Sequence, residues 1–379
     1  MHLSALPPAR IIDSPEKLHR MVEDLKRQPF IAVDTESNSL HAYQEQVCLI
    51  QISTPGTDYL IDTIVLSDLE DLAPIFADPA IQKVFHAGDY DITTLKRDFG
   101  FEIRNVFDTM LAATALAEPA IGLAALLEKH FDLKIEKKYQ RANWGKRPLD
   151  PAMLAYAQND SHYLLQLRDI LVRQLEEVGR LEAVLEDSAA LAKITLPMKD
   201  HEEDLWRVRG VQDLKPEALS LLRQINHLRE QIAMNRNVPP FKVFSDRLMI
   251  EVAQTQPHYL EELALLPSFS PAMLRRYGNQ IMQTVEKWRR NPVTVSPRKL
   301  TRLSDRELKL REKLTNWRKE IGEKEEIPSN AVFPRDLLER IAHHDPTSME
   351  ALEEVMEDYP HRYSKYGTQI LNLIKRKEK

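Results

Sequence analysis

The chain has 379 residues, of which 43% are hydrophobic and 29% are charged, so its length and composition predict two or three globular domains. Its formal net charge of −6 excludes a general attraction of the whole molecule for nucleic acid, and any such binding needs local basic patches. The 10 glycines form no phosphate-binding loop of the Walker or dinucleotide type, which argues against a nucleotide-hydrolysing motor and a nucleotide cofactor.

The N-terminal part is predicted to begin with a helix and three strands. Ser14 and Pro15 start the helix, and its apolar residues recur at helical spacing as far as Leu25. Segments rich in β-branched and apolar residues then predict strands over 30–36, 47–53 and 59–63. The short connections between these strands favour antiparallel pairing at the start of the sheet.

The following elements continue this alternation of helices and strands. Ser67 to Glu70 has the sequence of a capping box and predicts a helix that continues through Phe76. Another strand is predicted over 83–86, and helices then extend to about residue 210. This order predicts one α/β domain with a mixed sheet over residues 1–210.

The rest of the chain is predicted to be helical and to contain an internal repeat. Val238-Pro239 corresponds to Ile327-Pro328 at an offset of 89 residues (327 − 238). The same offset, without a gap, pairs Arg229 with Arg318, Phe244 with Phe333, Leu248 with Leu337, Pro257 with Pro346, Leu263 with Leu352, and Tyr277-Gly278 with Tyr366-Gly367. We therefore expect two small helical domains over 211–292 and 302–379, joined by a linker over 293–301.

Two carboxylates lie at the end of the first predicted strand. Asp34 and Glu36 are separated by one residue, so both side chains project from the same face of a strand. Carboxylates placed side by side repel each other unless a cation lies between them. A helix cap or a solvated strand end is the alternative interpretation of this pair on its own.

Two later segments carry further acidic residues. Asp91 follows a strand-to-helix turn, where either Asp89 or Asp91 is predicted to cap the helix. Tyr156 and Asp160 are four residues apart on a helix that Asp150 is expected to cap, so they share one helix face. Capping alone, and a Tyr–Asp contact at the edge of the core, are the alternative interpretations of these segments.

Taken together, the carboxylates predict a metal centre. Four oxygen-donor side chains without Cys or His ligands suit hard cations such as Mg²⁺ or Mn²⁺. Two such ions, roughly 3.5–4 Å apart, stabilise both the attacking and the leaving oxygen of a phosphodiester displacement. The sequence therefore favours metal-dependent phosphodiester chemistry.

This constellation resembles the DEDDy family of 3′-5′ exonucleases, named for four acidic residues and one tyrosine. The three motifs of that family are matched in order by Asp34 and Glu36, by Asp91 in the segment from His86, and by Tyr156 and Asp160. The repeated helical segments resemble HRDC domains, and the whole order is similar to the layout of the ribonuclease D family. In the segment before the third motif, Asn143 stands where that family has an acidic residue before Trp144.

The resemblance implies an α/β ribonuclease-H-like exonuclease domain with a mixed sheet, followed by two small all-α HRDC-like domains. It implies a 3′-5′ exoribonuclease that uses two Mg²⁺ or Mn²⁺ ions, with Asp34 bridging the ions and Tyr156 orienting the attacking water. The implied substrates are the 3′ ends of tRNA precursors and other small structured RNAs. The products would be nucleoside 5′-monophosphates, and we expect the protein to act as a monomer.

Residues near the motifs are the expected contacts of the RNA. We expect substrate contacts from Thr35, Leu40, His86, Trp144 and Arg147. Ordinary packing is an equal alternative for Leu40, His86 and Trp144, and a solvated surface is the alternative for Arg147 with its basic neighbours Arg141 and Lys146. A second RNA-binding surface is expected from the basic residues Lys287, Arg289, Arg290, Arg298, Lys299 and Arg302, and contact with protein is the equal alternative for each repeat. Stacking on a base is one interpretation of Trp288, which lies among them, and a core position at a helix end is the commoner alternative.

The cysteine content and the lengths of the apolar runs indicate the cellular compartment that we expect for the protein. The single cysteine, Cys48, excludes a disulfide framework or a Cys-rich zinc site, and its apolar neighbours predict that it is buried. No apolar run approaches the ~18 residues that suggest a transmembrane helix, and no basic, apolar leader is evident at Met1. We therefore expect a cytoplasmic protein without membrane contacts.

Two other functions remain open from the sequence. A 3′-5′ DNA exonuclease of repair would use the same metal chemistry, although the chain has no polymerase or helicase motif and has tandem helical domains. A catalytically inactive RNA-binding module is the other alternative. The complete set of four carboxylates argues against it, since an inactive site has little reason to keep them.

Overall fold

The computed structural model describes residues 6–135, 138–196, 205–291 and 303–375. Within these ranges the sheet has six strands: β1 (Arg10–Ile12), β2 (Phe30–Ser37), β3 (Val47–Ser53), β4 (Asp58–Asp62), β5 (Gln82–Phe85) and β6 (Val106–Asp108). Across the sheet they lie in the order β1-β4-β3-β2-β5-β6. Strand β3 pairs antiparallel with β2 and β4, and the other neighbours pair in parallel. The predicted mixed sheet with an antiparallel start is confirmed.

Helices follow and connect these strands. They are α1 (Pro15–Leu25), α2 (Ala73–Ala77), α3 (Asp89–Phe99), α4 (Thr109–Ala115), α5 (Leu123–Phe131), α6 (Pro151–His162), α7 (Leu164–Glu177) and α8 (Leu181–Ala192). The predicted start of α1 is confirmed, because the Ser14 side chain accepts a hydrogen bond from the Lys17 amide. The predicted apolar stripe of α1, which ends at Leu25, is buried.

Helices cover both faces of the sheet. Ile31 and Val33 of β2 belong to the core formed with α1, α2 and α3. Ala32 of the same strand belongs to the core formed with α4, α5 and α7. Because side chains alternate along a strand, Asp34 and Glu36 continue the face of Ala32. The acidic pair therefore extends from the second face at the end of a buried strand.

Some local details differ from the prediction. Strands β1 and β6 are absent from it, since three residues are too few to show an alternating pattern. The capping box predicted at Ser67 is wrong. The Asp68 side chain instead accepts a hydrogen bond from the Glu70 amide at 3.1 Å, and α2 begins only after a 3₁₀ turn over Glu70–Leu72. Cys48 is buried, as predicted.

The second half of the chain is helical throughout its described residues. Its helices are α9 (Pro216–Arg236), α10 (Asp246–Thr255), α11 (Leu260–Ala264), α12 (Pro271–Arg290), α13 (Asp305–Glu325), α14 (Ser329–Val332), α15 (Arg335–His344), α16 (Met349–Val355) and α17 (Pro360–Lys375). The starts of α9, α10, α11 and α12 recur at α13, α15, α16 and α17, each 89 residues later (305 − 216 for the first pair). The predicted repeat is therefore present as two copies of one helical arrangement.

The described residues form two compact units. One contains the sheet, α1 to α8 and the second helical repeat, and the other contains residues 38–46 and the first repeat. Each repeat has its own apolar core. Phe244 packs against Tyr277 in the first, and Phe333 packs against Trp317 in the second. Among the helices described here, none has the length and hydropathy needed to cross a membrane.

Candidate active site

Three carboxylates meet where β2 ends beside α6. Asp34 and Glu36 come from β2, and Asp160 comes from α6. One carboxylate oxygen from each of these residues lies within 4.8 Å of the other two. Helix α6 begins as predicted, because the Asp150 side chain accepts a hydrogen bond from the Ala152 amide at 2.8 Å. The fold thus brings together the carboxylates of the first and third predicted motifs.

The electrostatics of this cluster oppose a full set of negative charges. Burial raises the pKa of Asp34 well above its ordinary value, and the charges of Asp91, Asp160 and Glu36 raise it further. Burial, followed by the charges of Asp160 and Asp91, raises the pKa of Glu36 to about 9. Burial also raises the pKa of Asp160 to about 7. Without a cation the cluster therefore retains protons at neutral pH.

Asp91 reaches the cluster from the first turn of α3. The Thr35 hydroxyl donates a hydrogen bond to Oδ1 of Asp91 at 2.5 Å, and burial raises the pKa of Asp91 to about 6. The prediction that Asp89 or Asp91 caps this helix is wrong, because Gly88 is the N-cap and no side chain accepts a capping bond there. The Asp91 carboxylate is therefore directed to Thr35 and the acidic cluster.

The turn that carries Asp91 is held by Asp108, a residue that the sequence analysis missed. The buried carboxylate of Asp108 accepts a hydrogen bond from the Gly88 amide at 2.8 Å and bonds from two amides at the start of α4. A side chain at Gly88 does not fit, since its Cβ would lie 2.5 Å from the Cβ of Phe85. The available signal was an Asp placed directly before a helix, which is a preferred capping position.

Tyr156 lies on α6 one turn before Asp160, as the sequence predicts. Its hydroxyl donates a hydrogen bond to Asp160, and burial followed by the charges of Asp160, Glu36 and Asp34 raises the pKa of the phenol well above its usual range. Its ring packs against Tyr139 at a centroid distance of 5.8 Å. The phenol therefore keeps its proton at physiological pH and acts as a hydrogen-bonding group.

The residues of the cluster fit a hard divalent cation. Their donors are carboxylate oxygens, which Mg²⁺ and Mn²⁺ prefer. Burial, and then repulsion between the carboxylates, raise the pKa values of Asp34 and Glu36, and a bound cation would offset both effects. The ligand set that the sequence predicts is therefore compatible with the observed geometry, with Asp34, Glu36 and Asp160 closest together.

Three expected substrate contacts have different surroundings. Thr35 uses its hydroxyl to bind Asp91. Nδ1 of His86 lies 2.9 Å from the Thr109 hydroxyl, and burial lowers the pKa of this half-buried imidazole. Leu40 is 38% exposed and lies on the segment that belongs to the other compact unit. A nucleotide contact stays a prediction for these residues.

The expectation that Arg147 binds phosphate is wrong for the side chain as it is placed. Its Nε and Nη2 atoms donate to the two carboxylate oxygens of Asp62, both at 2.6 Å. The remaining donors bind the carbonyl oxygens of Cys48, Trp144 and Lys146. Because a guanidinium has five N–H donors, no donor of Arg147 is left for a phosphate. The side chain instead joins the segment before α6 to β3 and β4.

Two expected aromatic contacts are core residues. Trp144 is 1% exposed and packs with Leu49, Leu60 and Ala157, so its indole offers no surface for a nucleotide. Trp288 is buried, and its Nε1–H donates to the Ser220 hydroxyl at 2.9 Å. The packing interpretation is therefore correct for both Trp144 and Trp288, and neither indole stacks on a base as it is placed.

The predicted basic surfaces are only partly described. Arg141 and Lys146 are exposed near the start of α6. Lys287, Arg289 and Arg290 are exposed on the last turn of α12, where Arg289 donates to the carbonyl oxygens of Gln256 and Pro257. The other basic residues predicted for this surface, Arg298, Lys299 and Arg302, lie outside the described residues.

Gln51 is a second neighbour of the site that the sequence analysis missed. It is fully buried and lies directly opposite Asp34 in the antiparallel pair of β2 and β3. Directly opposed residues in such a pair project to the same face. Neither atom of its amide has a hydrogen-bond partner among the described residues. No local sequence signal identifies this residue, since the pairing register decides its position.

Sequence families match the chain in three segments. Residues 9–176 match the 3′-5′ exonuclease family, and residues 218–285 and 307–374 each match the HRDC domain. The two HRDC matches have the same offset as the internal repeat (307 − 218 = 89). The exonuclease match contains all five residues of the predicted motifs, and the HRDC matches contain the helical repeats.

Curated proteins from several organisms are similar to the chain. Ribonuclease D of Gluconacetobacter diazotrophicus is 30% identical over 298 residues, which cover 78% of this chain and 76% of the relative. The exosome complex exonuclease RRP6 of Saccharomyces cerevisiae is 36% identical over 262 residues, which cover 65% of this chain and 36% of the relative. The match thus spans about a third of the length of the exosome relatives.

Solved structures share the architecture. The catalytic core of RRP6 from Trypanosoma brucei matches with a TM-score of 0.65 and 30% identity, covering 77% of this chain and 82% of that chain. Escherichia coli RNase D matches with a TM-score of 0.70 over 93% of this chain and 100% of that chain, at 24% identity. At 24% identity, the match to Escherichia coli RNase D is evidence for the fold alone. Both support the predicted fold, in which a mixed α/β domain is followed by helical domains.

Proposed function

Because the chain belongs to the ribonuclease D family of 3′-5′ exoribonucleases, we propose that it hydrolyses RNA from the 3′ end and releases one nucleoside 5′-monophosphate at each step. The observation that carries the proposal is the cluster of the half-buried Asp34, Glu36 and Asp160, with the buried Asp91 beside it. Four carboxylates this close together and partly removed from water are costly unless they bind cations. We place the reaction at this cluster.

Two Mg²⁺ or Mn²⁺ ions are the proposed cofactors. Asp34, Glu36 and Asp160 would hold one ion, and Asp34 with Asp91 would hold the second. When bound, such ions lower the pKa of a coordinated water and neutralise the charge that develops on the phosphate. The carboxylates would bind and position the ions. The Thr35 hydroxyl contributes by donating a hydrogen bond to Oδ1 of Asp91, which orients that carboxylate.

Tyr156 has a proposed role in orienting the attacking water. Its raised pKa means that the phenol oxygen retains its proton, which rules out a role as general base at neutral pH. Its hydroxyl donates to Asp160 at the edge of the acidic cluster. From there it would fix the water by a hydrogen bond while the carboxylates hold the ions.

The proposed substrates are the 3′ ends of tRNA precursors and other small structured RNAs. The end must be single-stranded, because the scissile phosphate has to reach the half-buried carboxylates. His86 and Leu40 stay proposed contacts of the terminal nucleotides, whereas Arg147 and Trp144 are withdrawn from that role. The HRDC domains are proposed to supply additional RNA-binding surface.

Three further properties complete the proposal. We propose domain boundaries at residues 210/211 and 301/302, and the linker expected over 293–301 lies outside the described residues. We propose that the protein acts as a monomer, since the candidate site is formed by residues of one chain. We also propose that the protein is located in the cytoplasm.

The direct test is a cleavage assay with a 5′-labelled tRNA that carries a short 3′ extension. Reactions contain Mg²⁺, Mn²⁺ or EDTA, and Asp34→Asn is assayed beside the wild-type protein. We expect a ladder that shortens from the 3′ end, requires metal and is lost in Asp34→Asn. Asn preserves the shape of Asp34 but removes a charged ligand, so RNA binding should persist in the variant.

The alternatives predict other outcomes of the same assay. Intact RNA with both metals, combined with measurable RNA binding, would identify an inactive binding module and overturn the proposal. Faster digestion of a matched DNA strand than of the RNA would identify a DNA exonuclease that uses the same site. Internal cleavage in place of a 3′ ladder would contradict the exonuclease assignment.

A further inference from the structure

Helix α6 carries two of the proposed active-site residues, and its orientation on the sheet is fixed by a polar network that the reaction does not use. Ala157 and Ser161 face the sheet and are buried. The hydroxyls of Ser161 and Ser53, which lies on β3, are hydrogen-bonded at 2.8 Å. The small side chain of Ala157 lets the helix lie close to the strands beneath it.

The two flanks of α6 have different partners. Tyr156 and Asp160, four residues apart, line the flank at the acidic cluster. Gln158 and His162, also four residues apart, line the opposite flank, because two residues correspond to about 200° of rotation around a helix. The helix therefore has the proposed chemistry on one side and a separate set of polar groups on the other.

The second flank is bound to Asp58 at the start of β4. Nε2 of Gln158 donates to Oδ2 of Asp58 at 2.6 Å and to the carbonyl oxygen of Pro7 at 2.7 Å. Nδ1 of His162 lies 2.8 Å from the same Asp58 oxygen. Burial alone would raise the pKa of Asp58, but hydrogen bonds from His162, Gln158 and Ser53 lower it, so the carboxylate is ionised at neutral pH.

We propose that Asp58 is a positioning residue, which fixes the rotation of α6 about its axis and thereby the placement of Asp160 and Tyr156. A rotation of about 10° moves a side-chain oxygen that lies roughly 5–6 Å from a helix axis by ~1 Å. A misplacement of ~1 Å at a reacting centre costs about 10²-fold in rate. This inference rests on the proposed function, because it assigns Asp58 a part in the same metal-dependent reaction.

The network is suited to this task by its geometry. Apolar packing of Ala157 resists separation of α6 from the sheet but has little directional character. The bonds of Gln158 and His162 to one oxygen are directional, and they are made on the flank opposite to Asp160. Loss of Asp58 removes both bonds at once and leaves Ser161 as the remaining polar anchor of α6 to β3.

The test compares Asp58→Ala and Asp58→Asn with the control Tyr59→Phe. Tyr59 is the next residue of β4 and projects to the opposite face, where its hydroxyl donates to Asp24 at 2.7 Å. All variants are assayed for kcat, for KM with a 3′-extended RNA, for Mn²⁺ affinity by calorimetry without RNA, and for Tm. We expect Asp58→Ala to lower kcat and to weaken Mn²⁺ binding, each by about 10–100-fold, with little change of KM. Asp58→Asn retains an acceptor oxygen and should recover most of the loss.

Each other outcome has a defined meaning. A fall in Tm for Asp58→Ala with unchanged kcat and Mn²⁺ affinity, as expected for Tyr59→Phe, would overturn the proposal and leave a purely structural role. If Asp58→Ala does not fold, Gln158→Met removes one of the two bonds to Asp58, together with the bond to Pro7, at similar side-chain length and should give a smaller loss of the same kind. If the wild-type protein does not cleave RNA, the proposed function fails. Mn²⁺ affinity then still decides whether Asp58 positions the ligands.

Discussion

The Thr35 hydroxyl donates a hydrogen bond to Oδ1 of Asp91 at 2.5 Å, and this bond joins β2 to α3 within the acidic cluster. Thr35 lies between Asp34 and Glu36, so a single strand segment supplies two carboxylates and also orients a third. Asp91 has no capping role that would otherwise fix its side chain. The position of Asp91 therefore depends on Thr35 and on the turn held by Asp108.

Replacement of Thr35 by Val tests this dependence. Val has nearly the same shape but no hydroxyl, so Asp91 loses its side-chain donor while the packing of β2 and the backbone donor of residue 35 are retained. We expect Thr35→Val to weaken Mn²⁺ binding and to lower kcat, each by roughly 10–100-fold, as is typical when the partner of a metal ligand is removed. Thr35→Ser keeps the hydroxyl and serves as the control. Equal Mn²⁺ affinities of all three proteins by calorimetry would show that Thr35 does not orient Asp91.

The raised pKa values in the cluster predict how metal-free stability depends on pH. Glu36 has an ordinary pKa of 4.5 in the unfolded chain and a pKa of about 9 in the folded protein. Between these values the folded state binds more protons than the unfolded state, so the free energy of unfolding falls as pH rises. We expect Tm in EDTA to decrease from pH 6 to pH 8.5, and Glu36→Gln to flatten this decrease.

Metal should reverse this trend, because the ions bind the deprotonated carboxylates. With saturating Mn²⁺, Tm should rise above its EDTA value, and the rise should be larger at pH 8.5 than at pH 6. Thermal unfolding at both pH values, with and without Mn²⁺, provides the measurement. A Tm in EDTA that falls equally for the wild-type protein and Glu36→Gln would assign the pH dependence to groups outside the cluster.

The role of Tyr156 is tested by its replacement with Phe. Since the phenol stays protonated, the variant loses a hydrogen-bonding hydroxyl and no negative charge. We expect kcat to fall by about 10²-fold, the usual effect of removing one such group, and by less than in Asp34→Asn. The factor should be constant from pH 7 to pH 9. A factor that grows with pH would indicate that the phenol titrates, and an unchanged kcat at saturating metal would exclude the proposed orientation of water.

The sequence was sufficient wherever local spacing determines geometry. Asp34 and Glu36 share a face because strands alternate, and Tyr156 and Asp160 share a face because helices repeat every 3.6 residues. The repeat of 89 residues contains no gap, so it was evident before the helices were seen. These predictions depend on a few neighbouring residues or on direct comparison of two segments.

The predictions that failed depend on contacts between distant segments. Arg147 lies in a basic run, yet its partner Asp62 is 85 residues away in sequence. Gln51 is placed opposite Asp34 by the register of two strands, which no local pattern specifies. The capping role expected at Asp89 or Asp91 failed because Asp108, from the next strand, takes the Gly88 amide. Contacts between residues that are distant in sequence determine the placement of each of these side chains.

The ion pair between Arg147 and Asp62 leads to a prediction that distinguishes a structural role of Arg147 from a role in RNA binding. Arg147→Met should leave the Asp62 carboxylate unpaired in a position where its side chain is 12% exposed, and should leave the carbonyl oxygens of Cys48 and Trp144 without this donor. We expect a loss of about 3 kcal/mol in the free energy of unfolding, because the largely buried Asp62 loses its ion-pair partner and keeps only the amides of Ile64 and Val65 as donors among the described residues. Lys146→Met, at an exposed position, is the matched control and should change stability little.

RNA affinity measured as a function of salt completes this test. A side chain that binds a phosphate contributes to the slope of log Kd against log salt concentration, and its loss reduces that slope by ~1. Every donor of Arg147 is already bound within the protein. Arg147→Met should therefore leave the salt slope unchanged when it is measured below the unfolding temperature of the variant. Thermal unfolding of the same variant should show the loss of stability. A reduced slope with unchanged stability would mean that Arg147 leaves Asp62 to bind RNA, and would restore the phosphate contact expected from the sequence.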